Sequence, residues 1–116
     1  SKKTIIYITH DLASVKGFAD QILIMYAGKI VESGPAKKIF GNAKHPYSQR
    51  LIDLMSRSVN SKGKLAYIEG QPPLPDDFPE GCRFHPRCGF AIPSCKTETP
   101  EIQGSDIHWW ACPVIN

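Results

Sequence analysis

Eight of the ten prolines and all four cysteines of this 116-residue chain fall in residues 58–116. Proline fixes φ and cannot donate a backbone hydrogen bond, so this half cannot be regular over long stretches. A loop-rich segment of that size buries too little apolar surface to hold itself together, and a covalent or metallic staple usually compensates. Residues 1–57 differ: they carry two prolines and nine Lys+Arg against four acids. The chain therefore reads as a regular α/β half joined to a stapled, loop-rich half. Its 41% hydrophobic and 22% charged residues argue against wholesale disorder. A net charge of +3 is too small to indicate nucleic-acid binding. No apolar run approaches the ~20 residues that span a bilayer, and the start, SKKTIIYITHD, lacks a signal-peptide layout. These features point to a soluble, cytosolic polypeptide.

Ile5, Ile6, Tyr7 and Ile8 form an unbroken apolar run that suits a strand buried on both faces, as in a parallel sheet. Asp11 can cap a short helix with Leu12, Val15, Phe18 and Ala19 as its buried stripe. Gln21–Tyr26 and Lys29–Glu32 read as strands flanking an Ala27-Gly28 hairpin turn. Pro35 in a first turn and Gly41 just past the end bracket a short helix. Pro46 opens a better one, with Tyr47, Leu51, Leu54 and Met55 at helical spacing. Beyond Ser58 the pattern fails. VNSKGK reads as a solvated linker, Leu65–Ile68 as one short strand, and QPPLPDDFPEG as extended chain and turns. The last third carries no trusted periodicity, and the cysteines are its only organising signal.

Cys82, Cys88, Cys95 and Cys112 give the spacing C-x5-C-x6-C-x16-C. Two disulfides are one reading, with three possible pairings. Structural zinc is a second, although zinc usually takes thiolates from tighter C-x2–4-C knuckles. An iron–sulfur cluster is the third, because its ligands surround a larger object and tolerate looser spacing. Inert core cysteines are the bland alternative. Phe84, Phe90, Trp109 and Trp110 could exclude water from such a site, or each could simply belong to the small core, which is the commoner role; Arg83 and Arg87 could offset the site's negative charge. His85 and His108 lie close in sequence, but four thiols make them unnecessary as ligands.

Three stretches are familiar: ITHDLASVKGFADQILIMYAGKIVESGPAKKIF, then HPYSQRLIDLM, then GQPPLPDDFPEGCRFHPRCGFAIPSC with WWACP. Together they resemble the C-terminal third of the ATP-binding subunits of oligopeptide and dipeptide ABC transporters. The first stretch is common to many ABC ATPases, whereas the HPY segment and its Cys-bearing extension are specific to the peptide-importer branch. The resemblance implies an α+β chain: the truncated end of a P-loop ATPase α/β domain in residues 1–57, and a small loop-rich domain stapled by four cysteines in residues 58–116. It makes His10 the switch histidine that reaches the γ-phosphate of ATP, and Cys82, Cys88, Cys95 and Cys112 the ligands of a [4Fe–4S] cluster, with zinc as the substitute metal. It further implies ATP and magnesium in the full-length parent. The implied partners are transmembrane permease subunits and a second ATP-binding subunit, at the cytoplasmic face of the cell membrane.

The absences matter as much. Gly28-Lys29 and Gly63-Lys64 have no glycine five residues upstream, so no P-loop G-x-x-x-x-G-K-[ST] exists here. The Leu-Ser-Gly-Gly-Gln signature is missing, as is an apolar strand ending in Asp-Glu to hold magnesium. The expectation is a piece of a longer chain that by itself neither hydrolyses ATP nor holds it tightly. Its Thr4–Thr9 strand, stripped of sheet neighbours, would pair with a second copy. The rival expectation is a zinc-stapled binding module unrelated to ATP. An independent active site has little support, since Asp76, Asp77 and Glu80 read as solvated charge in a proline-rich turn.

Overall fold

Within Gln21–Tyr26 (β1) every residue after the first is apolar or aromatic, yet burial alternates strictly, with Ile22, Ile24 and Tyr26 inside and Leu23 and Met25 outside. Period-two burial is what a sheet with one covered face imposes. Lys29–Pro35 (β2) returns antiparallel to β1, Tyr26 pairing with Lys29 across a two-residue loop. Ala27 and Gly28 both take positive φ, 50° and 80°, the mirror-image turn that matches strand twist. The helices Ala36–Asn42 (α1) and Pro46–Ser56 (α2) follow, and two short strands, Ile102–Gly104 (β3) and Trp109–Ala111 (β4), complete the sheet. The computed structural model describes residues 4–56 and 70–114, an α+β arrangement with sheet order β1-β2-β4-β3, every neighbouring pair antiparallel.

One core serves both sequence segments. Val15, Ile22, Ile24, Tyr26, Val31 and Ile39 pack with Phe84, which comes from the cysteine-bearing segment and is 1% exposed. The Phe84 ring stands edge-on to Tyr26 at 5.2 Å and lies 5.3 Å from Tyr47 of α2. Burying such a ring contributes about 1.5–3 kcal/mol, so Phe84 is a substantial anchor between the two segments. Arg83 adds a second tie, donating from Nη1 to the Ala27 carbonyl while stacking 4.0 Å above the Phe78 ring. Arg87 adds a third, its Nη1 donating to the Tyr26 hydroxyl at 3.2 Å.

Several expectations need correction. Residues 4–9 form no strand, and Ile5, Ile6 and Ile8 are exposed. A strand covered on both faces needs partner edges and packing layers, and no strand among the described residues pairs with this run. The helix after Asp11 is shorter than its apolar stripe implies. Only the 3-10 turn Leu12–Val15 forms, capped as expected by Asp11 Oδ1 accepting from Ala13 N at 3.1 Å. Phe18 lies outside the core and packs edge-on against Tyr7 at 5.8 Å. Gly41 falls inside α1 instead of past its end. The last third holds two strands that short-range periodicity could not reveal, because three residues contain barely one repeat. The expected linker and the Leu65–Ile68 strand lie outside the described residues.

Candidate functional site

Glu32, on the central strand β2, has no exposed surface. Its Oε1 accepts from the amides of Lys44 and His45 at 3.1 and 2.8 Å. Its Oε2 accepts from Lys44 N at 2.9 Å and faces His108 Nε2 at 2.6 Å. One carboxylate thus gathers the turn before α2 and the residue preceding β4. Nothing in strand periodicity marks Glu32, and sequence reasoning passed over it.

The amides held by Glu32 fix His45, which is 1% exposed. Its Nδ1 accepts from Tyr47 N at 3.0 Å, at the start of α2. Its Nε2 is buried without a hydrogen-bond partner. Burial pushes the imidazole pKa down to about 4, against the opposing pull of the Glu32 charge, so the ring is neutral at pH 7.

His45 lines a small cavity together with Cys82, Cys88, Cys95 and Cys112. Prolines build the loops that bring these thiols there: Pro86 opens the 3-10 turn His85–Arg87 before Cys88, and Pro93 opens the turn Pro93–Lys96 that carries Cys95. Cys82 N donates to the Cys95 carbonyl at 2.9 Å, clamping the two loops together. Cys112 arrives on the chain leaving β4. All four are free thiols, which removes the disulfide reading.

Burial raises the Cys82 thiol pKa first, with the Phe84 amide opposing and the other three cysteines adding to the rise. Burial likewise raises Cys88, where the Phe90 amide and Arg50 of α2 pull the other way. The Phe90 amide donates to Cys88 Sγ at 3.4 Å. Burial thus opposes ionisation at Cys82 and Cys88, and a bound cation would offset it. Four thiols are the donor type that an iron–sulfur group takes, but the expected ligand set for [4Fe–4S] or zinc is not seen assembled. No group of three or more His, Cys, Asp or Glu among the described residues is arranged to hold a metal ion. The space between the side chains is about 10 Å³, one water's worth.

The other residues singled out by sequence divide clearly. Phe84 lines the cavity, whereas Phe90 borders a separate open groove with Arg50 and Asp53. Trp110 is buried beside His108 at 5.2 Å, and neither it nor Trp109 borders the cysteines. Arg83 and Arg87 bind the β1–β2 hairpin, and Arg50 is the cation sensed by Cys88. His108 is engaged by Glu32, and His85 Nδ1 donates to the Cys82 carbonyl at 2.8 Å. His10 sits in the exposed turn before Leu12–Val15, apart from the cavity.

Residues 31–95 match the family described as "Oligopeptide/dipeptide transporter, C-terminal region". The chain is 42% identical over 99 residues to the dipeptide transport ATP-binding protein DppD of Haemophilus influenzae, spanning 85% of this chain and 30% of that protein. It is 46% identical over 92 residues to the oligopeptide transport ATP-binding protein OppD of the same organism, spanning 79% and 28%. It is 39% identical over 109 residues to the di/tripeptide transport ATP-binding protein DppF of Pseudomonas aeruginosa, spanning 92% and 33%. The chain therefore spans about a third of the length of these relatives. The family match runs from β2 through the Glu32-anchored HPY turn to Cys95, and the chain belongs to the oligopeptide/dipeptide transporter C-terminal-region family.

Proposed function

We propose that this chain is the C-terminal part of the ATP-binding subunit of a peptide ABC importer, with residues 1–57 completing the nucleotide-binding domain and residues 58–116 forming a cysteine-stapled extension. The observation that carries the reading is a family match that covers both the HPY turn and three of four cysteines sharing one cavity. The relatives are named for ATP-binding and for dipeptide, oligopeptide or di/tripeptide transport. In the whole protein, ATP with magnesium would be hydrolysed at the cytoplasmic face of the membrane, against permease subunits and a second ATP-binding subunit. Among the described residues no helix is long and apolar enough to cross a membrane. Ile5, Ile6 and Ile8, 80%, 85% and 92% exposed, are the surface through which the chain alone would pair with a second copy.

In this reading His10 is the switch histidine. Its imidazole donates a hydrogen bond to the γ-phosphate and stabilises the charge that develops during in-line attack by water. Asp11 holds the turn that presents it, through the Ala13 amide. In the full-length protein, His10→Ala should lower ATP turnover about 10²-fold or more while ATP binding persists. Turnover at the wild-type rate would reject the assignment.

Cys82, Cys88, Cys95 and Cys112 would hold a [4Fe–4S] cluster, which would supply a cross-link between their loops. The residues supply four thiols, an apolar wall and amides directed at sulfur. Anaerobic isolation should give a brown protein with matched iron and sulfide, and each Cys→Ser variant should lose most of both. Undiminished iron in all four variants would remove the ligand assignment. A colourless anaerobic protein with stoichiometric zinc would replace the cluster with a single ion.

A further inference from the structure

The four thiols that line one cavity are reduced in the resting chain, and the polypeptide sorts them into two pairs. Cys82 and Cys88 are half-buried, whereas Cys95 and Cys112 are each only 5% exposed. Cys82 N donates to the Cys95 carbonyl at 2.9 Å. Strand partners joined by such bonds lie about 5.5 Å apart at Cα, inside the ~4.4–6.8 Å that disulfides bridge. Gly81, at φ +70°, lets the two backbones come this close. The cavity holds about 10 Å³, so little separates the side chains around it. Among the other three cysteines, Cys82 feels the charge of Cys95 most, and Cys88 that of Cys112. Four cysteines allow three pairings, and these observations select Cys82 with Cys95 and Cys88 with Cys112. Each pair joins a half-buried thiol to a buried one.

We propose that the four cysteines are a redox-sensitive staple, which a low-molecular-weight disulfide oxidises, in the metal-free chain, to a Cys82–Cys95 and a Cys88–Cys112 bond. The proposal does not rest on the cluster reading given above, since a bound metal would occupy the same thiols. In each pair the half-buried thiol attacks first. The Cys82 thiolate displaces one thiolate from the incoming disulfide and forms a mixed disulfide; Cys95 Sγ then attacks Cys82 Sγ and releases the second. Each protein bond so formed takes two electrons and two protons from the chain, and both leave on two small-molecule thiols. Cys88 and Cys112 repeat these steps. Burial keeps the attacking thiols largely protonated, so exchange is slower than at an exposed cysteine. The oxidised form ties the turns His85–Arg87 and Pro93–Lys96 to each other and to the chain leaving β4. Such cross-links restrict the unfolded chain, so oxidation stabilises the extension.

The test uses the wild-type chain, freed of any iron or zinc by a chelator, checked for folding by circular dichroism and incubated with oxidised glutathione. Remaining thiols are blocked, and trypsin with chymotrypsin cuts after Arg83, Phe90 and Lys96, which leaves each cysteine on its own peptide for mass spectrometry. The expected result is loss of four hydrogen atoms from the folded chain. Two linked peptide pairs should appear, Cys82 with Cys95 and Cys88 with Cys112, together with a higher urea midpoint, and dithiothreitol should reverse all of these changes. Cys95→Ser should leave Cys82 capped by glutathione while the Cys88–Cys112 bond still closes. Linkage of Cys82 to Cys88 or to Cys112 overturns the proposal. So do thiols that stay free or take up glutathione alone. A metal-free chain that does not fold overturns it as well, because the polypeptide by itself then fails to place the thiols. The cluster reading is decided separately, by the iron and sulfide of the anaerobic protein before chelation.

Discussion

Glu32→Ala is expected to destabilise the chain by about 3–5 kcal/mol, the usual consequence of stripping one partner from a buried charged network. The substitution leaves the Lys44 and His45 amides without their acceptor and removes the partner of His108 Nε2. Each buried group so orphaned costs about 1–3 kcal/mol, and the methylenes removed from a fully buried site add to the loss. Domains of this size are stable by about 5–15 kcal/mol, so the variant should be partly unfolded near physiological temperature. Urea titration should show a midpoint well below wild type with the slope unchanged. Glu32→Gln provides the control. Its remaining carbonyl can serve the Lys44 and His45 amides, and His108 can switch tautomer to accept from the new amide. That variant should therefore lose distinctly less than Glu32→Ala. A Glu32→Ala midpoint within experimental error of wild type would show that β2, α2 and β4 are joined by something else.

The contrast between what the sequence conveyed and what it hid follows from the range of the interactions involved. Local chemistry was legible. Ala27-Gly28 marked its hairpin because the mirror-image turn needs positive φ at both positions. Pro46 and the spacing of Tyr47, Leu51, Leu54 and Met55 marked α2, and Asp11 marked its cap. The cysteine spacing left disulfides, metal, cluster and inert core cysteines open; the four side chains line one cavity. Long-range chemistry was hidden. Glu32 is 76 residues from His108, and a Glu inside a strand ordinarily signals a solvated face. Phe84 reads from the sequence as a ring of a small local core or a water-excluding shell, whereas it plugs the core shared with β1, β2 and α1, 45 residues and more away in the chain. Residues 4–9 misled for the converse reason. Their composition specifies a strand, but a strand is a pairing, and the partner is not among the described residues. Burial of His45 was likewise unreadable from HPY alone, since it depends on the carboxylate that fixes its amide.

Gly81→Ala is expected to cost about 3 kcal/mol or more and to fall on the cysteine loops first. Gly81 has φ +70°, a region where a side chain is already strained by about 1–2 kcal/mol. Packing adds to that. A methyl group there would fall well inside 3.0 Å of the Cys95 carbonyl oxygen, with Lys96 C and Thr97 N both at 2.9 Å. These are backbone atoms, so no rotamer change relieves the contact. The Cys95 carbonyl is also the acceptor of the Cys82 amide, so any retreat breaks the clamp that sets two thiols side by side. Two comparators divide the terms. Gly17→Ala carries φ +99° with nothing within 4 Å and should show the conformational cost alone. Gly89→Ala has neither strain nor a close neighbour and should lie within about 0.5 kcal/mol of wild type. Thermal unfolding should rank them Gly81→Ala below Gly17→Ala below Gly89→Ala. Gly81→Ala should also lose iron uptake in parallel with its stability, because the same backbone shift parts Cys82 from Cys95. If Gly81→Ala instead melts with Gly17→Ala, the close approach of the two loops is not a constraint, and the cysteine cavity is looser than its geometry implies.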